Sequence, residues 1–222
     1  MPLSNFVIVT GHYGCGKTNF SLNLAFDRAR QGRRVTIMDL DIVNPYFRTS
    51  DYRELLTQKG IRVVASPYAG STLDIPALSG EMYSVFEDTE SDVIIDVGGD
   101  DAGAAALGRF APRIHQLASF DMLYVVNRFR KLTQQPEQAV EILIEIEAMS
   151  RVKATGIVNN SHLSQMTSEE DILSSTAYAE KTAALADIPL VMTTVPENLS
   201  GDLAGKVKDL YSVKIYVVPP WK

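Results

Sequence analysis

The chain has 222 residues, of which 45% are hydrophobic, and its formal net charge is −6. That length can bury one substantial core and fits a single domain over residues 1–222 better than two. The negative charge disfavours nucleic acid or an anionic membrane as the main partner. No run reaches the roughly 18 apolar residues of a membrane span, and no basic leader precedes an apolar stretch, so we expect a cytoplasmic protein without membrane association.

Cysteine and histidine are too sparse for most metal centres. The chain has one cysteine, Cys15, which excludes an internal disulfide and any site built from several thiolates of one chain. The three histidines, His12, His115 and His162, show no ligand spacing. The sequence therefore predicts no zinc or other transition-metal site.

Eight short apolar runs rich in valine and isoleucine are predicted strands. Most are apolar throughout rather than alternating, as expected where helices cover both faces of a parallel sheet. We predict an α/β fold, with a mainly parallel sheet of seven to eight strands and helices on both faces. The predicted strands are 6–9, 35–38, 61–65, 93–97, 122–126, 154–158, 189–195 and 213–218.

Amphipathic or broadly apolar segments between these strands predict helices. The first has apolar residues at i,i+4 spacing and is followed by Gly32, which favours a C-terminal stop. The second begins with Pro136, and the third follows Ser168, a residue that suits a helix N-terminus. The predicted helices are 17–31, 136–149 and 168–186.

Residues 11–18, between the first strand and the first helix, read Gly-His-Tyr-Gly-Cys-Gly-Lys-Thr and match the pattern G-x-x-x-x-G-K-[ST]. In this pattern glycines let the backbone approach phosphate oxygens, so that successive N–H groups converge on an anion. Lys17 is expected to neutralise the β and γ phosphates, and the Thr18 hydroxyl to ligate Mg²⁺. Cys15 occupies a free position and is interpreted as a small filler, with a reactive thiolate as the alternative.

Aspartates follow two of the predicted strands. Asp39 and Asp41 end the second, and Asp96 ends the fourth, just before Gly98 and Gly99. Ligands of open α/β sheets bind beyond the carboxyl ends of the strands, so one aspartate can hold Mg²⁺ and another can orient the attacking water. Gly98 or Gly99 can bring a backbone N–H to the γ-phosphate. Taken singly, each aspartate could instead simply begin a turn.

Together these segments resemble the MinD/ParA group of P-loop ATPases, in the larger family that also contains nitrogenase iron protein, arsenite-pump ATPases and dethiobiotin synthetase. The resemblance covers nearly the whole chain. It rests on residues 11–18, on Asp39-Leu40-Asp41 with Asn44, Pro45 and Arg48, on Asp96-Val97-Gly98-Gly99, and on Gly156-Ile157-Val158-Asn159-Asn160.

The resemblance implies that Asp41 positions the hydrolytic water, that Asp39 and Asp96 support the metal, and that an asparagine reads adenine. Asn160 matches that place best, and Asn159 is the alternative if the strand is one residue shorter. Lys17 and Asp41 are then the catalytic residues, and Thr18, Asp39 and Asp96 the metal-side residues. The expected nucleotide-binding residues are Gly11, Gly14, Cys15, Gly16, Lys17, Thr18, Asn19, Gly99, Asn160 and Pro196, with ATP and Mg²⁺ as ligands.

The chain departs from the family at one position. MinD and ParA proteins carry a lysine near the start of the phosphate loop that reaches the ATP of the partner subunit, and in this chain His12 stands at that position. Histidine is shorter and mostly neutral near pH 7. Three arginines are candidates for the missing charge, with Arg48 ranked first: Arg48, Arg128 and Arg130. The sequence of residues 215–222 lacks the pattern of a basic amphipathic helix, so MinD-like membrane attachment is not expected. Cysteines outside the phosphate loop are absent, which disfavours an iron–sulfur carrier.

Three functions stay open on this evidence. The leading one is a switch or accessory ATPase that forms a homodimer with ATP near the interface and acts on a protein partner the sequence does not identify. The second is an ATP-dependent small-molecule synthetase or kinase resembling dethiobiotin synthetase, with Tyr13 and residues 66–79 lining an acceptor pocket. The third is a sensor of ATP against ADP without turnover.

Overall fold

The computed structural model describes residues 3–41, 48–65, 79–99 and 101–217. Within these ranges eight strands form one sheet in the order β3-β2-β4-β1-β5-β6-β7-β8, and each neighbouring pair is parallel. The predicted α/β fold is confirmed. The strands are β1 Phe6–Thr10, β2 Val35–Leu40, β3 Arg62–Ala65, β4 Asp92–Val97, β5 Asp121–Val126, β6 Gly156–Asn159, β7 Leu190–Pro196 and β8 Leu210–Val213.

Helices connect the strands throughout the described part of the chain. They are α1 Lys17–Arg30, α2 Arg53–Gln58, α3 Gly80–Ser84, α4 Asp101–Ile114, α5 Pro136–Ser150, α6 Glu169–Ala186 and α7 Glu197–Ser200. Short 3₁₀ turns occur at Thr49–Tyr52, Lys131–Thr133 and Ser164–Met166. None of the helices among the described residues is long and apolar enough to cross a membrane. Several positions named in the sequence analysis lie outside the described ranges: Asn44, Pro45, residues 66–78 and residues 218–222.

Two hydrophobic cores lie on opposite faces of the sheet, and β1 shows the division. Phe6 and Ile8 pack in the core that contains side chains of α4, α5 and α6. Val7 and Val9 pack in the core that contains side chains of α1 and α2. Successive residues of a strand point to opposite faces, so a strand covered on both sides must be apolar at every position. The prediction of helices on both faces is confirmed.

Local signals account for the ends of the three predicted helices, which are confirmed to within two residues. Gly32, with a φ of +79°, follows the end of α1 in a conformation that glycine adopts without strain. Pro136 opens α5. Ser168 caps α6 by accepting the N–H of Asp171, whose carboxylate in turn accepts the N–H of Ser168.

The last strand is displaced from its predicted place. The prediction was 213–218, whereas β8 covers Leu210–Val213 and pairs with β7. Residues 214–217 are not a strand of the sheet. The apolar run that suggested a strand belongs to this following segment, whose backbone is bound by side chains of α1.

Two buried asparagines of α1 hold that segment. Asn23 Nδ2 donates to the Lys214 carbonyl at 2.9 Å, and Asn23 Oδ1 accepts the Lys214 N–H at 2.8 Å. Asn19 Oδ1 accepts the N–H groups of Tyr216 and Val217 at 2.8 and 3.2 Å. The Asn19 side chain thus binds other parts of the protein, and the predicted contact of Asn19 with nucleotide stays a prediction.

Replacing Asn23 by alanine should leave the Lys214 N–H without its partner and the Lys214 carbonyl with only the Asn19 amide. We expect Asn23→Ala to lower the free energy of unfolding by about 1–3 kcal/mol, measured by urea denaturation. The exposed Arg30→Ala on the same helix is the control and should change it by less than about 0.5 kcal/mol. Equal effects of the two substitutions would contradict the clamp.

Candidate functional site: the phosphate loop and its neighbours

The loop of residues 11–18 sits where all parallel strands end at the same edge of the sheet. It leaves β1 at the centre of the sheet, between β4 and β5, and enters α1. Gly16 has a φ of +91°, and a Cβ there would collide with the side-chain nitrogen of Asn160. The backbone therefore turns into the helix through a conformation and a close approach that only glycine allows.

Lys17 is held within the loop. Its ammonium donates to the His12 carbonyl at 3.2 Å, and the residue is only 7% exposed. A lysine folded back on its own loop can exchange this neutral acceptor for phosphate oxygens, which make stronger, charge-assisted hydrogen bonds. Burial, followed by the charge of Lys17, lowers the pKa of His12. His12 is therefore neutral near pH 7.

The turn after β4 lies against the phosphate loop. A Cβ on Gly99 would be 2.7 Å from Lys17 Nζ and equally close to the backbone nitrogen of Tyr13. Gly99 thus lies beside the predicted phosphate-binding lysine. Its role as a donor to nucleotide stays a prediction.

Asp96, at the end of β4, is the acceptor for three hydroxyl groups. Its Oδ2 accepts Thr18 Oγ1 at 2.8 Å and Thr49 Oγ1 at 2.7 Å, and its Oδ1 accepts Ser21 Oγ at 3.1 Å. Burial raises the pKa of Asp96, whereas the hydrogen bond from Thr49 and the charge of Lys17 lower it. The metal-side candidates Thr18 and Asp96 are therefore in direct contact.

Thr49 and Ser21 were not predicted. Ser21 lies one turn after Thr18 on α1, so helical spacing could have placed it on the same side as Thr18. Thr49 lies far from Asp96 in sequence and matches no motif. No local pattern indicates it.

Asp39 pairs with Asp96 in register across β2 and β4. It accepts the N–H groups of Asp41 and Ser50 at 3.0 and 2.8 Å. Burial, and then repulsion by Asp96, raises the pKa of Asp39 to about 6. Asp41 follows Leu40, the last residue of β2, and is half-buried. The charge of Asp41 contributes to raising the pKa of Asp96. The structure thus brings the three predicted aspartates together with Thr18.

These groups fit a Mg²⁺ ion. The donors are a hydroxyl and carboxylates, and Mg²⁺ prefers oxygen ligands while keeping several waters and phosphate oxygens in its shell. Among the described residues, no three His, Cys, Asp or Glu side chains are grouped to hold a metal by themselves. The site therefore suits an ion that arrives with a phosphate ligand better than one held by protein alone.

Asn160, just after β6, connects three elements at the other side of the loop. Its Nδ2 donates to the Cys15 carbonyl at 2.7 Å, and its Oδ1 accepts Thr194 Oγ1 at 2.5 Å and His162 Nε2 at 3.1 Å. A contact with adenine would require Asn160 to exchange one of these bonds, so that role stays a prediction. The alternative, Asn159, faces α6 and donates to Ser175 Oγ at 2.9 Å.

His162 fixes the orientation of the Asn160 amide. The Nδ1 of His162 accepts the Ser164 N–H at 3.1 Å, so the proton resides on Nε2, which donates to Asn160. Burial, with a smaller contribution from the charge of Arg130, lowers the pKa of His162 to about 4. The ring is therefore a neutral donor at physiological pH. Isolated histidines carry no signal for such a role in sequence.

Pro196 lies at the end of β7 in the wall of an open pocket of about 450 Å³. The other lining residues are Glu197, Asn198, Val213, Lys214 and Ile215. Lys214 is held by Asn19 and Asn23 of α1, so the pocket wall is fixed relative to the helix that begins at Lys17.

Cys15 of the phosphate loop is fully buried, and burial raises the pKa of its thiol, which disfavours the reactive-thiolate alternative.

Comparisons with known proteins agree with this geometry. The family model described as the CobQ/CobB/MinD/ParA nucleotide binding domain matches residues 6–173. A search of curated proteins found no match. Similar solved structures include the FtsY protein of Mycoplasma mycoides, with 20% identity, a TM-score of 0.57, and coverage of 86% of this chain and 59% of that one.

Two further solved structures show the same fold. The cell division protein FtsY of Thermotoga maritima has 20% identity and a TM-score of 0.55, with 88% of this chain and 63% of that one covered. The Signal Recognition Particle 54 kDa protein of Aeropyrum pernix K1, solved in complex with GDP, has 16% identity and a TM-score of 0.57, with 87% and 42% covered. The chain thus spans about three fifths of the length of the FtsY structures.

A methyl group at Gly99 should disturb the phosphate loop. Because the added Cβ would lie 2.7 Å from Lys17 Nζ and from the Tyr13 backbone, Gly99→Ala must displace one of them. We expect it to weaken binding of Mg²⁺-ATP by about tenfold or more in a calorimetric titration. Gly201→Ala, where nothing lies within 4 Å, is the control and should bind as the parent does. Indistinguishable affinities of the two variants would refute this contact.

The buried His162 should make stability fall at low pH. Its pKa is lower in the folded chain, about 4, than the ordinary value of 6.5, so the folded state is penalised as pH falls from 6.5 towards 4. Between pH 7 and 5 the parent should lose about 2 kcal/mol more free energy of unfolding than His162→Gln, which keeps an amide donor for Asn160. Urea denaturation at both pH values measures this. Parallel pH profiles would contradict the neutral, buried imidazole.

Proposed function

The chain belongs to the CobQ/CobB/MinD/ParA family of nucleotide-binding domains, and we propose that it binds Mg²⁺-ATP, hydrolyses it slowly and acts as a switch or accessory ATPase on a partner protein. The observation that carries the proposal is the hydrogen bond from Thr18 to Asp96. It joins the start of the phosphate-loop helix to the carboxylate of β4, and Asp39 of β2 lies in register with that carboxylate. A phosphate bound by the loop therefore lies next to groups that can hold Mg²⁺ and water.

Each residue has a defined part in the proposed reaction. Backbone N–H groups of residues 11–18 and the Lys17 ammonium bind the phosphates. Thr18 would ligate Mg²⁺, Asp96 and Asp39 would accept hydrogen bonds from waters of the ion, and the ion would supply positive charge at the phosphate oxygens. Asp41 orients a water whose oxygen bonds to the γ-phosphorus while the bond to the ADP oxygen breaks, giving ADP and inorganic phosphate. The neutral His12 supplies no full positive charge to the phosphates.

Adenine is the proposed base because of the loop that follows β6. Guanine presents an N–H and an amino group that call for a carboxylate acceptor, and residues 160–168 contain none. The competing reading is a guanine nucleotide, since a structurally similar protein was solved with GDP. Glu197, in the pocket beside Pro196, is the carboxylate that would support it.

Exposed apolar side chains at the same edge of the sheet support a homodimer with ATP near the interface. Tyr13 is 56% exposed, Leu132 53% and Met166 72%. They follow β1, β5 and β6, which are neighbours in the sheet. Large exposed apolar groups around a binding site favour burial against a partner surface.

Phosphate release by the purified protein with Mg²⁺ tests the proposal. We expect turnover with ATP preferred over GTP, and dimers with ATP but not with ADP in size measurements. Asp41→Ala should reduce turnover by at least about tenfold while ATP still binds. Lys17→Ala should lose binding itself, because the phosphates lose their cation.

Other results would redirect the proposal in distinct ways. Tight ATP binding by a monomer without turnover would overturn the switch ATPase in favour of a sensor or of an enzyme that needs an acceptor. A preference for GTP that Glu197→Gln abolishes would replace adenine by guanine. Equal turnover of Asp41→Ala and the parent would remove Asp41 from the reaction.

A further inference from the structure

We propose that Arg130, in the loop after β5, contacts the phosphates of the bound nucleotide at Gly14 and supplies from within the same chain the positive charge that His12 does not provide. This inference rests on the proposed function. It assigns a further catalytic residue to that site.

The phosphate loop lacks a second cation. Lys17 is the one residue of 11–18 that carries a full positive charge, because His12 is neutral near pH 7. A nucleoside triphosphate carries more negative charge than Mg²⁺ and one lysine neutralise, and further charge develops on the leaving oxygen during transfer. A second cation at the loop would stabilise that charge.

Arg130 is placed at the middle of the loop. A Cβ built on Gly14 would lie 3.5 Å from Arg130 Nε and 3.6 Å from its Cζ. The charge of Arg130 also contributes to the lowered pKa of His162, behind Asn160. Within the described part of the chain, no carboxylate forms an ion pair with this guanidinium. Its exposed side chain is therefore available for an anion.

The backbone that carries Arg130 is fixed. The Arg130 N–H donates to the Asn127 carbonyl at 3.1 Å, and the Arg130 carbonyl accepts the Thr133 N–H at 3.0 Å. Asn127 is 2% exposed and its Nδ2 donates to the His162 carbonyl at 3.2 Å. Only the side chain has to become ordered when a phosphate binds, which lowers the entropic cost of the contact.

The atoms nearest to a Cβ at Gly14 all belong to Arg130 and none to the other two candidate arginines. Arg128 donates to the Ser174 carbonyl and lies 5.8 Å over the ring of Phe129. Arg48 is buried at the start of the 3₁₀ turn Thr49–Tyr52, which follows β2 on the other side of β1. The geometry at Gly14 thus singles out Arg130, although Arg48 ranked first in the sequence analysis.

The test compares Arg130→Ala and Arg130→Lys with Arg128→Ala, the matched arginine two residues away. Calorimetry gives the dissociation constant for Mg²⁺-ATP, and phosphate release gives kcat/KM. Arg130→Ala should lose about tenfold or more in kcat/KM, because charge-assisted hydrogen bonds to phosphate are lost. Arg130→Lys should recover part of the loss, since it keeps the charge without the planar fork. Arg128→Ala should stay within about twofold of the parent, as an exposed contact to one carbonyl predicts.

The outcomes separate this inference from the proposed function. If the parent binds and hydrolyses ATP and Arg130→Ala equals Arg128→Ala in both constants, the role of Arg130 is overturned and the ATPase stands. If the parent binds ATP without hydrolysing it, the dissociation constant decides, and an unchanged value for Arg130→Ala overturns the role. If the parent binds no Mg²⁺-ATP, the proposed function and the role of Arg130 both fall. Unchanged thermal midpoints of the variants exclude unfolding as the cause of any loss.

Discussion

The site depends first on the buried carboxylate of Asp96. A charged group that is 1% exposed would destabilise the fold unless it were hydrogen-bonded, and three hydroxyls meet that requirement. Two come from α1, Thr18 and Ser21, and one from Thr49 after β2. The bonds that satisfy Asp96 therefore fix the phosphate-loop helix against β4 and against the segment that follows the Asp39-Leu40-Asp41 element. One of these three hydroxyls, that of Thr18, is the group that we propose as a ligand of Mg²⁺.

A second network fixes the loop from the opposite side of β1. The Asn160 amide joins the Cys15 carbonyl to Thr194 of β7, and the neutral His162 holds that amide in place. Between these two hydrogen-bond networks, Lys17 Nζ donates to the His12 carbonyl. Gly99 lies close to the lysine, which is possible because glycine has no side chain. The loop is thus preorganised at both ends, while the bond that must change on phosphate binding is a single neutral contact. This arrangement lowers the reorganisation needed for binding.

The fold and the core of the site follow from local sequence patterns, whereas the connections between distant segments do not. Apolar runs gave the strands, and the loop motif with the strand-end aspartates gave Lys17, Thr18, Asp39 and Asp96. The helix α4 contains Gly103, Gly108 and Pro112, residues that weaken a helix prediction; Gly103 is there because a Cβ would lie 2.5 Å from the Gly98 carbonyl. The apolar segment after β8 was predicted as a strand, but its backbone is bound by two side chains of α1, Asn19 and Asn23. Thr49 and His162 reach the site only through the tertiary fold, which no spacing in the sequence records, and the sequence alone ranked Arg48 above Arg130.

The most direct measurement is a crystal structure of the protein with Mg²⁺ and a non-hydrolysable ATP analogue. We expect Lys17 Nζ to leave the His12 carbonyl for phosphate oxygens, the Thr18 hydroxyl to ligate Mg²⁺, and Asp96 to accept hydrogen bonds from the waters of the ion. A nucleotide bound elsewhere, with Lys17 Nζ still on the His12 carbonyl and no ion at the Thr18 hydroxyl, would contradict the account.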